Sequence, residues 1–280
     1  MTYFGFLFRF LFIPILIFLI ITIWDNRKNK PMIDFSNGRM VWIAIGIHSL
    51  LAVLYTTPWD NYLVATGVWY YNPDLVTGIL LGYVPIEEYI FFVLETLLAG
   101  LWWWFLARRI AIPSTPASSG RGGFSPDKIL VYLSTSLLAV VWLICTYLFF
   151  FGEAKWTYLS IMFFWALPPL AMQVLFGADI LWHYRKLVLL AVLVPGTYLS
   201  LMDIVALGDT TWAISPAQTT GVLFFGILPL EEVAFFFITN MMITFGLTLL
   251  LSNVSRERFA GIKEQFQSLK GRWSPGPQSR

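Results

Sequence analysis

Gly82-Tyr-Val-Pro85-Ile-Glu87-Glu88-Tyr-Ile-Phe91-Phe92 is echoed 144 residues later by Gly226-Ile-Leu-Pro229-Leu-Glu231-Glu232-Val-Ala-Phe235-Phe236. Each copy lies in a long apolar run and carries two adjacent carboxyl groups into it. An ionised carboxylate at the centre of a bilayer costs about 2.5–3.5 kcal/mol or more, so a placement made twice points to chemistry. The surrounding runs decide the fold class, and the echo orders them.

The chain has 280 residues, of which 58% are hydrophobic and 12% charged. A run near 20 apolar residues crosses a hydrocarbon core of about 30 Å. Seven such runs are present, roughly Phe4–Trp24, Met40–Thr57, Thr77–Leu106, Ile129–Phe151, Tyr158–Phe176, Leu187–Leu207 and Thr219–Leu251. The expected fold is all-α, a polytopic protein of seven transmembrane helices. Sixteen of the 18 basic residues follow the first, third, fifth and seventh runs; Arg9 and Lys155 are the exceptions. Basic loops stay cytoplasmic, so the expected topology is multi-pass in the plasma membrane, N-terminus outside and C-terminus cytoplasmic. The first run is too long for a signal peptide and lacks a small-residue cleavage site. The net charge of +2 reflects topology beside anionic lipid and implies no nucleic-acid partner. The single cysteine, Cys145, lies inside a run and reads as a packing residue.

The duplication extends beyond the acids. Asp60, Trp69 and Gly78 are nine residues apart, and so are Asp203, Trp212 and Gly221. Thr2-Tyr3 and Pro14 match Thr157-Tyr158 and Pro169 at equal spacing. Helices one to three therefore correspond to helices five to seven. A shift of four helices keeps the halves in the same orientation, as parallel repeats about an axis along the membrane normal, with a site expected at their interface near the midplane. The expected organisation is a first repeat over 1–110, a linker and connector helix over 111–155, a second repeat over 156–251 and a basic tail over 252–280. Residues 113–125, rich in Ser, Gly and Pro, read as a flexible linker. Phe259, Ile262, Phe266, Leu269 and Trp273 recur at helical steps between charged residues, the pattern of an amphipathic helix on the cytoplasmic surface, and 274–280 reads as disordered.

Glu87 is expected about ten residues into its span, roughly 15 Å deep at 1.5 Å per residue, with Pro85 bending the helix just before it. Adjacent residues point about 100° apart on a helix, so one glutamate of each pair can face a cavity while the other braces a neighbour. Removed from water, a carboxyl group favours its neutral form. A second one beside it splits the pair into an acid and a base. The competing reading is hydrogen bonding between helices without chemistry. Glu95, seven residues beyond Glu88, is a candidate supporting acid, although Thr239 stands at the matching position. Asp60 and Asp203 sit at the outer ends of their spans; His48 and Gln173 lack counterparts and read as packing residues. No Gly-x-Gly-x-x-Gly motif follows a strand, and two histidines with one cysteine make no metal cluster, so neither cofactor nor metal is expected. No predicted span holds a lysine for a retinal Schiff base. Aromatic residues, 18% of the chain, flank the acids. Desolvated aromatic faces stabilise a cation by about 2 kcal/mol or more each.

Thr57-Pro-Trp-Asp60-Asn-Tyr, Trp69-Tyr-Tyr71 and Tyr83-Val-Pro-Ile-Glu-Glu-Tyr-Ile-Phe-Phe92 closely resemble the integral-membrane lycopene cyclases, in which two small subunits or two fused repeats form a β-cyclase. The resemblance covers residues 2 to about 251. It implies an isomerase of carotenoid biosynthesis that closes rings on lycopene or a related linear carotene in the membrane, without a cofactor. It carries functional roles to Pro85, Glu87, Glu88, Pro229, Glu231, Glu232 and Asp60. Apart from the resemblance, Glu95 on the face of Glu88 and the flanking aromatics Tyr89, Phe92 and Phe236 are candidate pocket residues. Asp203 lacks the Pro-Trp that precedes Asp60, and Glu95 becomes Thr239, so the halves are not equivalent. Two alternatives share parts of this pattern. One is a proton-coupled transporter, which would need a polar path to both faces; the other is a cyclase that closes one end of its carotene.

Overall fold

The computed structural model describes residues 1–32, 34–36, 38–111 and 127–272, with side chains as far as 263. The proposed linker over 113–125, Trp273 and the tail over 274–280 lie outside the described residues, as do the side chains of Phe266 and Leu269. Among the described residues, seven helices are long and apolar enough to cross a membrane. They are α1 (Tyr3–Arg27), α2 (Gly38–Ala65), α3 (Ile86–Ala107), α4 (Lys128–Phe151), α5 (Thr157–His183), α6 (Arg185–Gly208) and α7 (Leu230–Leu251). An eighth helix, α8 (Asn253–Arg272), follows and leaves Phe259 and Ile262 exposed. The chain is thus an all-α multi-pass membrane protein.

Burial ranks the helices. Of the most apolar window, 67% is buried in α3 and 56% in α7, against 11% in α4. The two acid-bearing helices are therefore the core, and α4 lies outside, packed along α5.

The third and seventh spans start later than the apolar runs do. Residues from Thr77 and from Thr219 form hairpins, and helix begins only at Ile86 and Leu230. Gly78, Gly82, Gly221 and Gly226 all have φ between 72° and 78°, which breaks a helix. β2 (Leu80–Leu81) pairs with β3 (Val84–Pro85), and β5 (Leu223–Phe224) with β6 (Leu228–Pro229). Pro85 (φ −68°, ψ 149°) and Pro229 (φ −60°, ψ 144°) then stand as N-caps. The expected mid-helix position of Glu87 and the expected bend at Pro85 are both corrected. Proline needs no hydrogen-bond acceptor and its fixed φ suits a helix start, so the glutamates lie in the first turn. The helices' first donors are met by the hairpins: Ile86 N–H reaches Ile79 O and Leu230 N–H reaches Val222 O, each at 2.9 Å. The two halves also join directly, as β1 (Trp69–Tyr71) pairs antiparallel with β4 (Trp212–Ile214).

Prolines inside helices free carbonyls four residues back, and side chains from other helices fill them. Pro14 frees Phe10 O, beside a π-helical turn at Phe8–Phe12, and Tyr198 Oη donates to it at 2.7 Å. Pro168 and Pro169 free Phe164 O and Trp165 O, which accept from Trp142 Nε1 at 3.1 Å and Tyr55 Oη at 2.8 Å. Tyr55 and Tyr198 occupy matching places, five residues before Asp60 and Asp203. Each braces the proline-bearing helix of the opposite half.

At the other end of the bundle, Asp25 pairs with Arg109 at 2.8 Å, and Asp179 takes both arms of Arg258 at 2.9 and 2.5 Å. Removing one partner of a buried ion pair costs about 3–5 kcal/mol, because the other charge is stranded. Arg258→Ala is therefore expected to lower stability by about that amount, and Asp179→Leu/Arg258→Met by much less. Thermal unfolding in detergent measures both.

Candidate active site

Pro-x-Glu-Glu at a helix start gives adjacent glutamates different tasks. Glu87 Oε1 accepts the Thr77 N–H at 2.6 Å, and Glu231 Oε1 accepts the Thr220 N–H at 2.6 Å. Each ties the segment before its hairpin to the helix that follows. Glu88 and Glu232 turn inward instead. Tyr3 Oη donates to Glu88 Oε2 at 2.5 Å, and Tyr158 Oη donates to Glu232 Oε1 at 2.6 Å. The first helix of each half thus holds the acid of its third helix.

Glu88 and Glu232 share one cavity of about 30 Å³ with Asp203, Tyr3, Tyr71 and Trp212, walled by Trp69, Phe91, Ile214, Phe235 and Phe236. That volume is on the order of one water molecule. Asp203 Oδ1 accepts from Trp212 Nε1 at 2.8 Å, while its buried Oδ2 has no hydrogen-bond partner. Asp60 is equally buried but does not line the cavity, and among the described residues neither of its carboxyl oxygens is hydrogen-bonded. Tyr71, between the transmembrane helices, is buried near Asp60 and Glu88. Burial first, and then these two acids, raise its hydroxyl well above the ordinary phenol value. It therefore keeps its proton throughout the neutral range, and it has no hydrogen-bond partner among the described residues.

The aromatic walls are continuous. Trp212 lies 4.9 Å from Tyr3 between ring centres, and Trp69 lies 5.7 Å from Tyr158, each indole covering a tyrosine of the other half. Trp59 is stacked between Trp165 at 4.7 Å and Phe235 at 5.6 Å. Its matching position holds Met202.

The remaining sequence candidates are placed as follows. Phe236 lines the cavity, and Phe92 packs behind it against Phe91 and Tyr89. Tyr89 Oη donates to Leu81 O at 2.8 Å and accepts from Asn61 Nδ2 at 3.0 Å, so it braces the first hairpin. Asn61 Oδ1 also accepts the Tyr83 N–H at 2.7 Å, which leaves room only for glycine at position 82. Pro85 and Pro229 cap helices. Glu95 lies deeper and accepts from Thr239 Oγ1 at 2.8 Å, joining α3 to α7 on the cavity's floor side. His48 donates from Nδ1 to Ala44 O at 2.8 Å, and Gln173 Nε2 donates to Met242 O at 3.0 Å; both pack helices. Tyr3, Tyr158 and Trp212 were marked in the sequence by their equal spacing in the two halves, and Asp203 by its match to Asp60. Tyr71, whose matching position holds Ile214, was marked only by the Trp69-Tyr-Tyr71 resemblance.

A cavity of acids and aromatic rings within a bundle of apolar helices defines a multi-pass membrane protein with buried carboxyl groups at the junction of its two halves. A lycopene beta-cyclase of Halobacterium salinarum is 41% identical over 206 residues, covering 74% of this chain and 81% of that one. A bifunctional lycopene cyclase/phytoene synthase of Podospora anserina is 34% identical over 217 residues, covering 75% of this chain and 35% of the longer protein. Another, from Colletotrichum graminicola, is 34% identical over 208 residues, 70% of this chain and 33% of that protein. No family model and no solved structure matches. The chain belongs to the membrane lycopene cyclase family.

The bracing role of Glu87 separates two substitutions. Glu87→Gln retains an oxygen for the Thr77 N–H and is expected to leave stability within about 1 kcal/mol, whereas Glu87→Ala orphans that donor and is expected to cost about 1–3 kcal/mol. Melting of the two variants in detergent checks the difference.

Proposed function

We propose that this protein is a lycopene β-cyclase whose single reaction cavity is built jointly by two parallel repeats, residues 1–110 and 156–251, joined by a linker and α4, with α8 in a cytoplasmic tail. The observation that carries the proposal is the convergence of Glu88, Glu232 and Asp203 on one aromatic-walled cavity, with a tyrosine hydroxyl on each glutamate. A carboxyl proton added to the terminal double bond of a linear carotene gives a tertiary cation. The next double bond closes a six-membered ring, and loss of a ring proton restores neutrality. Nothing is oxidised or reduced. Proton transfer by positioned carboxyls contributes about 10²–10⁴-fold. The walls stabilise the cation and exclude water that would trap it as an alcohol.

Glu88 and Glu232 are the acid–base pair in this reading. Glu87, Glu231, Pro85 and Pro229 hold them in place, with Asp60 as a buried acid outside the cavity lining. The cavity must widen several-fold to admit a carotene end. Beside it, the hairpins expose Leu80, Leu81 and Tyr83 in one half and Leu223, Phe224 and Phe225 in the other, an apolar approach from lipid. Basic residues clustered at the opposite end support a cytoplasmic C-terminus, an outside N-terminus and a site near the outer face of the plasma membrane.

Expression of the full chain in cells that accumulate lycopene is expected to convert that pigment to ring-bearing carotenes. Glu88→Gln and Glu232→Gln, which keep an acceptor for Tyr3 and Tyr158, are expected to reduce ring formation about 100-fold or more. Unchanged lycopene with wild-type protein present in the membrane overturns the proposal.

A further inference from the structure

We infer that Asp203 accepts the proton lost from the newly closed ring, and that Trp212 positions it, so that this pair decides where the ring double bond falls. The inference rests on the cyclase reading and goes beyond it by separating the base from the acids. Asp203 is fully buried and stands in the cavity wall. Its two oxygens differ: Oδ1 is held by Trp212 Nε1 at 2.8 Å, and Oδ2 has no hydrogen-bond partner. An indole N–H only donates, so it holds Oδ1 in place as an acceptor and leaves Oδ2 as the oxygen without a partner among the described residues. Glu88 and Glu232 instead each receive a tyrosine hydroxyl.

The matching acid is set up differently. The Trp69 indole that corresponds to Trp212 has no hydrogen-bond partner among the described residues. Trp59, the residue before Asp60, is stacked on Trp165 and Phe235, whereas Met202 precedes Asp203. The cavity is lined by Asp203 and not by Asp60.

The chemistry balances. A glutamic acid O–H bond breaks and its proton forms a C–H bond at the less substituted carbon of the terminal double bond, whose electrons are used and whose other carbon becomes the tertiary cation. Ring closure moves the positive charge to the ring carbon that carries a methyl group. Three neighbours of that carbon can lose a proton: the carbon bearing the polyene, the ring methylene and the methyl itself. Loss from the first, with its C–H electrons becoming the ring double bond, gives the β-ring and leaves the proton on Asp203 Oδ2. Proton transfer among the cavity carboxyls returns it to the glutamate. The position of the base selects among the three neighbours.

The test is chromatography and mass spectrometry of pigments from lycopene-accumulating cells that express the full chain or its variants. Asp203→Asn is expected to lower β-ring product about 100-fold, the remaining product including rings with a displaced double bond or an added hydroxyl. Trp212→Phe is expected to raise the share of such products several-fold, and Asp203→Glu to restore the β-ring. Asp60→Asn is expected to slow the reaction without moving the double bond, a readout that a merely structural role would not separate. Asp203→Asn forming β-rings at the wild-type rate overturns the inference, as does an equal shift in product pattern from Asp60→Asn. Should Asp203→Asn fail to reach the membrane, Trp212→Phe decides, and an unchanged product pattern from it overturns the inference. A wild-type chain that leaves lycopene untouched defeats the cyclase reading itself.

Discussion

The hydrogen bonds from Tyr3 to Glu88 and from Tyr158 to Glu232 are the constraint on which this molecule depends. Both carboxyls are buried where water does not compensate them, and a buried acceptor left unmet costs about 1–3 kcal/mol. Each bond crosses from the first helix of a half to its third, so satisfying the acid also fixes how those helices pack. Function and stability are thus coupled through the same atoms. The acids are tolerable because α1 and α5 supply phenols at the right height, and these helices are held at that height because the acids are there.

Height is set by the prolines. Pro14 and Pro169 would weaken α1 and α5 within the membrane, yet each freed carbonyl receives a tyrosine from the opposite half, Tyr198 or Tyr55. Together with the β1–β4 ribbon, these contacts interlock the halves on both sides of the cavity. Neither half closes the site alone: Trp212 covers Tyr3, and Trp69 covers Tyr158. Widening the cavity for a carotene must therefore leave the tyrosine braces intact and draw on the hairpins, whose exposed apolar side chains make few demands on the core.

Much of this was legible in the sequence, and the exceptions have physical causes. Apolar runs and basic loops report transfer free energy and topology directly, so all seven helices were visible. The starts of the third and seventh were not. Leu80, Leu81, Leu223 and Phe224 are as apolar as the helices they precede, and only the glycines between them signal a hairpin. That displacement moved Glu87 and Glu88 from mid-helix to the first turn. The 100° offset between adjacent helical residues predicted two roles within each pair, but assigning them required the positions of Thr77 and Tyr3, which lie on separate segments. Phe91 and Phe235 looked no different from lipid-facing aromatics. A tertiary contact decides which face is the wall, and no local pattern records it.

The departures from symmetry matter as much as the symmetry. Ring closure adds a proton at one carbon and removes one from another, so two identical halves would offer the same group to both events. Duplication supplies the pieces, and substitution separates their roles. Trp59, stacked between Trp165 and Phe235, faces no aromatic counterpart, since Met202 holds the matching position. Asn61 and Tyr89 pin the first hairpin, where Ile204 and Val233 at the matching positions have no side-chain polar atom to do so. Glu95 meets its own counterpart, Thr239, across the interface, making a hydrogen bond that two identical residues would replace with paired carboxyls. A symmetric ancestor of this arrangement would have had two equivalent acids and no preferred direction. In the present chain the cavity is lined by Asp203, one oxygen of which has no hydrogen-bond partner among the described residues, and not by its counterpart Asp60.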